Sequence, residues 1–88
     1  DMTDIVDVFT KAGFICTVVT TQKQGDGTEF AREYADKVNL IVAVGGDGTF
    51  NEVVAGVMES KSRVKIGYIP SGSTNDFANS LFFILIDS

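Results

Sequence analysis

Three short segments of this 88-residue chain are built to hold anions: residues 20–27 (Thr-Thr-Gln-Lys-Gln-Gly-Asp-Gly), 45–48 (Gly-Gly-Asp-Gly) and 70–74 (Pro-Ser-Gly-Ser-Thr). Each precedes a helical pattern. Glycine lets the backbone approach a phosphate without a side chain in the way. The N–H groups and positive dipole end of a helix favour negative charge, and hydroxyls add donors. One such loop is a weak signal, whereas a polyphosphate needs several together. Asp47 is the odd residue, because a carboxylate repels phosphate at close range. It fits if it takes the proton of an attacking hydroxyl or if Mg²⁺ bridges it, and both roles belong to phosphoryl transfer. An isolated Asp-Gly more often only holds a turn.

Other constellations fail. No Lys follows the glycines as a P-loop requires, and Asn51 stands where a dinucleotide fingerprint needs its third glycine. The chain has no His, so neither a protein-kinase catalytic loop nor a Cys–His nucleophile pair is available. Cys16, the single cysteine, sits in an apolar run and reads as a core thiol.

The elements that must position these loops follow from periodicity. Ile5, Val8, Phe9 and Ala12 mark one helix face, which Gly13 ends. Residues 14–19 read as a strand. Phe30, Ala31, Tyr34, Ala35 and Val38 stripe a second helix, with Asp26 and Glu29 at capping-box spacing. Residues 40–44 are all apolar, as in a central parallel strand. Thr49 and Glu52 predict another capping box, opening a helix striped by Phe50, Val53, Val54 and Val57. A strand over 64–69 and a short helix over 75–81 complete the pattern. Alternating strands and helices predict an α/β fold with a three-layer parallel sheet, whose strand-to-helix loops share the ligand-binding edge.

Such a sheet normally opens on a strand, whereas this chain opens on a helix and shows three strands. The expectation is therefore a fragment, residues 1–88 forming part of an N-terminal domain without its first strand. The apolar run 81–86 lacks visible cover, which predicts self-association into a homo-oligomer. The composition, 44% hydrophobic and 22% charged, suits a packed core. A net charge of −5 argues against nucleic acid and against strong adhesion to anionic membrane. No apolar run is long enough to span a bilayer and residues 1–4 lack a signal peptide's basic region, so the expected location is cytoplasmic.

At Gly45-Gly46-Asp47-Gly48-Thr49-Phe50-Asn51-Glu52-Val53-Val54 the sequence resembles the diacylglycerol kinase catalytic-domain family, which includes sphingosine and ceramide kinases. NAD kinases and phosphofructokinases share the Gly-Gly-Asp-Gly-Thr turn more distantly. Thr21 followed by Gly25-Asp26 is similar to a second family segment, and Pro70-Ser71-Gly72-Ser73-Thr74-Asn75-Asp76-Phe77-Ala78 to a third. The last ties the turn to the lipid-kinase branch.

The resemblance implies a diacylglycerol kinase-like N-terminal nucleotide-binding domain. It implies ATP as co-substrate, Mg²⁺, and transfer of the γ-phosphate to a lipid hydroxyl such as that of diacylglycerol. It places nucleotide contacts at Thr21, Gly45, Gly46, Asp47, Gly48, Thr49, Phe50, Asn51, Glu52 and Ser73, with further candidates at Gly72, Thr74, Asn75 and Asp76. Asp47 is the catalytic candidate, and no residue is assigned to a metal. Ser73 replaces the family's usual Thr and keeps the hydroxyl. The family's C-terminal β-rich domain, which supplies the lipid pocket and peripheral membrane contact, is absent. Residues 82–86 depart from the family and carry no expected function. A soluble acceptor such as NAD, or a non-catalytic nucleotide-binding module, is the alternative.

Overall fold

A computed structural model describes residues 2–21, 23–70 and 82–88. Within these described residues, three helices, α1 (Met2–Lys11), α2 (Asp26–Tyr34) and α3 (Asp47–Ser60), enclose a four-stranded sheet of β1 (Ile15–Thr20), β2 (Leu40–Gly45), β3 (Lys65–Pro70) and β4 (Phe82–Asp87). The sheet order is β1-β4-β2-β3. This is the α/β class expected from the alternating pattern.

β2 pairs parallel with β3, from Leu40 opposite Lys65 to Gly45 opposite Pro70. β4 corrects the all-parallel expectation. It lies between β1 and β2 and runs antiparallel to both, with Thr17 and Ile41 each opposite Leu85. It also corrects the expectation that the run 82–86 stays uncovered, since every residue from Phe82 to Ile86 is buried. A strand apolar at every position must be covered on both faces, and the middle of the sheet provides that cover.

The two faces separate cleanly. Ile41, Ala43, Phe83 and Leu85 point to the side of α2 and α3 and pack with Ala31, Ala35, Val53 and Val57. Val42, Val44, Phe82, Ile84 and Ile86 point to the side of α1, where Val6 and Phe9 meet them. The inward face of α1 is thus Val6 and Phe9, while Val8 is 65% exposed and Ala12 is exposed too. α1 ends as expected at Gly13. Phe14 donates its N–H to the Phe9 carbonyl at 3.0 Å and Gly13 to Thr10 at 3.1 Å, a Schellman turn with the Phe9 and Phe14 rings in edge contact at 5.6 Å.

α2 and α3 pack closely because of Gly56. A Cβ there would overlap the Thr28 carbonyl oxygen and stand 2.7 Å from the Ala31 Cβ. Across the same interface Thr28 Oγ1 donates to the Glu52 carbonyl at 2.9 Å, and Arg32 pairs with Glu59 at 2.9 Å. This close contact fixes where the N-termini of the two helices stand relative to one another.

Candidate functional site

β2 leaves the sheet through Gly45, whose φ of 148° is open only to glycine. Gly46 follows as the N-cap of α3 in extended backbone, without a side-chain cap. The expected Thr49–Glu52 capping box is not formed: the helix starts at Asp47, and the N–H groups of Thr49 and Phe50 both turn back to the Gly46 carbonyl, at 3.1 and 3.3 Å. A Cβ at Gly46 or Gly48 meets no atom within 4 Å, so both glycines face open space.

Glu52 acts across the helix pair instead. Its Oε1 accepts from the backbone N–H of Gly25 at 3.1 Å and of Gly27 at 3.0 Å. It thereby supplies the negative charge that the N-terminus of α2 favours. Asp26 is likewise not the N-cap. Gly25 holds that position, and Asp26 Oδ2 accepts from the Lys23 N–H at 3.1 Å. Of the two helix N-termini at this edge, α2 is filled from within the protein and α3 opens outward.

Between them lies a cleft of about 410 Å³. Thr21, Lys23 and Gln24 form one wall, Gly46, Gly48 and Thr49 the other, and Glu52 joins the two. Thr21 is half-buried and Thr49 buried, while Gly46, Gly48 and Lys23 are exposed. The arrangement offers N–H groups, two hydroxyls and one cation to an anionic guest.

The family profile of the diacylglycerol kinase catalytic domain matches residues 1–84. The chain belongs to that family. Among similar curated proteins, the diacylglycerol kinase of Staphylococcus saprophyticus subsp. saprophyticus is 42% identical over 79 residues, covering 89% of this chain and 26% of that protein. The diacylglycerol kinase of Staphylococcus carnosus is 47% identical over 72 residues, 81% of this chain and 24% of that protein. That of Staphylococcus aureus is 40% identical over 82 residues, 92% of this chain and 26% of that protein. The chain therefore spans about a quarter of the length of the curated relatives it matches. No solved structure gives a significant match.

Within this diacylglycerol kinase-type domain, not every expected site residue faces the cleft. Thr21, Gly46, Gly48, Thr49 and Glu52 line it. Gly45 is buried at the end of β2. Asp47, Phe50 and Asn51 lie outside the lining, and Asp47 and Phe50 turn toward β3. There Tyr68 donates its hydroxyl to the Gly45 carbonyl at 3.1 Å, with Asp47 Oδ1 at 3.5 Å, and its ring packs at a tilt against Phe50, centroids 4.9 Å apart. The partly dry setting of the hydroxyl, then the neighbouring Asp47 charge and hydrogen bond, raise the Tyr68 phenol above its ordinary 10.0. Ser73, Gly72, Thr74, Asn75 and Asp76 lie outside the described residues.

Sequence reasoning missed Lys23, Gln24 and Tyr68. Lys23 and Gln24 stand between the matched Thr21 and Gly25, and a cation in a phosphate-type loop was the available signal. For Tyr68 the signal was position: two residues beyond Ile66, it shares that residue's face near the C-terminal end of a strand, where open α/β sheets bind ligands. Among the described residues, no three His, Cys, Asp or Glu side chains converge on a metal position, and no helix is long and apolar enough to cross a membrane.

Proposed function

We propose that this chain supplies the nucleotide-phosphate side of an ATP-dependent lipid kinase acting on a diacylglycerol-like hydroxyl. One observation carries the reading: the α3 N-terminus opens into the cleft opposite a hydroxyl-bearing and cationic wall, whereas the α2 N-terminus is taken up by Glu52. The phosphates of ATP lie against Gly46, Gly48 and Thr49. Ser73, which follows β3 in sequence, adds a hydroxyl. Mg²⁺, if it takes part, would be held mainly by the phosphate oxygens rather than by a protein cage and would offset their charge.

Asp47 stands outside the cleft lining, on the β3 side of the glycine turn, and from there receives the proton of an acceptor hydroxyl that reaches the γ-phosphate from that side. The hydroxyl oxygen forms its bond to the γ-phosphorus as the bond to the β-phosphate bridging oxygen breaks, and that oxygen leaves with the electron pair as ADP. The lipid is held by parts corresponding to the remaining length of the relatives, which also make the membrane contact.

A chimera tests this. Residues 1–84 replace the matching segment of the Staphylococcus aureus relative, and transfer of labelled γ-phosphate to diacylglycerol in mixed micelles is measured. Activity is expected, falling about 10²–10⁴-fold with Asp47→Asn, the usual worth of a general base. A folded but inactive chimera, or an Asp47→Asn variant within a few-fold of its parent, contradicts the proposal.

A further inference from the structure

The cleft has an electrostatic deficit that its glycine turn does not cover. A helix N-terminus is worth roughly half a positive charge, and here Asp47 sits in the first turn of α3 with a full negative one. Glu52 lies at the same cleft, and the chain carries a net −5. A polyphosphate brings several further negative charges. Among the described residues lining the cleft, Lys23 is the one cation.

Lys23 is also held in place. Its N–H donates to Asp26 Oδ2 at 3.1 Å, its carbonyl accepts from the Asp26 N–H at 3.2 Å, and Glu52 anchors the following Gly25 and Gly27. These bonds fix the backbone of a residue that lines the same cleft as Gly46 and Gly48. We propose that Lys23 is a phosphate-binding residue of this cleft, selecting nucleoside di- and triphosphates over less charged nucleotides. The inference rests on the nucleotide reading above and adds a residue and a charge preference to it. Lys23 acts as a point charge, the part that a P-loop lysine plays from a different position. Its loop precedes α2 rather than the helix whose N-terminus receives the phosphates.

Calorimetry on the 88-residue chain, with ATP and adenosine in the presence of Mg²⁺, tests it. Lys23→Ala should weaken ATP about tenfold, the lower range for a hydrogen bond to a charged group. Adenosine binding should not change, Lys23→Arg should retain most of the ATP affinity, and the gap between wild type and Lys23→Ala should narrow at high salt. Lys23 is exposed, so the melting temperature of the variants should match wild type. Equal ATP affinity in wild type and Lys23→Ala makes Lys23 a solvated surface residue and overturns the inference while sparing the nucleotide reading. A parallel loss of adenosine affinity, or a lowered melting temperature, assigns the effect to the loop and also overturns it. A wild-type chain that does not bind ATP removes the nucleotide reading itself.

Discussion

Glu52 Oε1 lies 3.0 Å from the backbone nitrogen of Gly27, so a side chain on α3 closes the N-terminus of α2. The same oxygen takes the Gly25 N–H at 3.1 Å. Both bonds are charge-assisted and partly buried, and they join two elements distant in sequence. Glu52→Gln should keep the shape and lose the charge, Glu52→Ala should lose both, and the cost should fall at about 1–3 kcal/mol. Chemical denaturation checks this. A change under about 0.5 kcal/mol for Glu52→Ala, the ordinary range of surface substitutions, would make the carboxylate a bystander.

Gly48 separates stability from ligand binding. It lies inside α3, and an added Cβ meets nothing within 4 Å. Gly48→Ala should therefore raise stability, by less than the ~1 kcal/mol that separates alanine from glycine in a helix interior, because Gly48 is the second residue of α3. The same methyl stands where phosphate approaches, so ATP affinity should fall. Thermal melts beside ATP titrations read the two effects. A variant that gains stability and binds ATP unchanged would move the phosphate away from Gly48.

Gly56 gives the opposite outcome from the same substitution. Its α-carbon lies against Thr28 and Ala31, leaving no room for a methyl. Gly56→Ala should push α2 from α3 and cost about 1–3 kcal/mol, as overpacking does. The cleft should suffer with it, because its walls are carried by those two helices. An alanine variant as stable as wild type would show that the helix pair yields easily.

The Tyr68 hydroxyl makes an alkaline prediction. Its folded-state pKa is raised above 10.0, first by partial desolvation and then by Asp47. The unfolded chain thus loses this proton at lower pH than the folded one. The stability Tyr68 contributes is complete below pH 10.0 and declines as pH rises toward the folded value. Tyr68→Phe should remove that part of the decline, and Asp47→Asn should bring the phenol back toward 10.0, as followed by absorbance of the phenolate. An unchanged titration in Asp47→Asn would separate the two residues.

Much of this fold was legible because its signals are local. The apolar run of β2, the glycine turn after it and the stripes of α2 and α3 each speak through neighbours in sequence. The misreadings arose where tertiary partners decide. Thr49 and Glu52 have capping-box spacing, yet two backbone N–H groups on the neighbouring helix compete for the Glu52 carboxylate and hold it. Residues 82–86 announce burial on both faces, but an all-apolar strand carries no mark of its direction or neighbours. The α1 stripe was misplaced because Ile5, Val8 and Ala12 share the helical period with Phe9, while the sheet meets Val6 and Phe9. Tyr68 was passed over as one residue of a short strand, and only the fold brings its hydroxyl to Gly45 and Asp47.

The position of the nucleotide phosphates is the central claim, and amide chemical shifts of the labelled chain during an ATP titration test it most directly. The account predicts saturable shifts centred on Gly46, Gly48, Thr49 and Lys23, with smaller ones at Gly25 and Gly27, whose N–H groups stay bonded to Glu52. It would be contradicted by no saturable shifts, or by shifts centred on the recess between Ile15, Tyr34 and Leu85 at the far side of the sheet face.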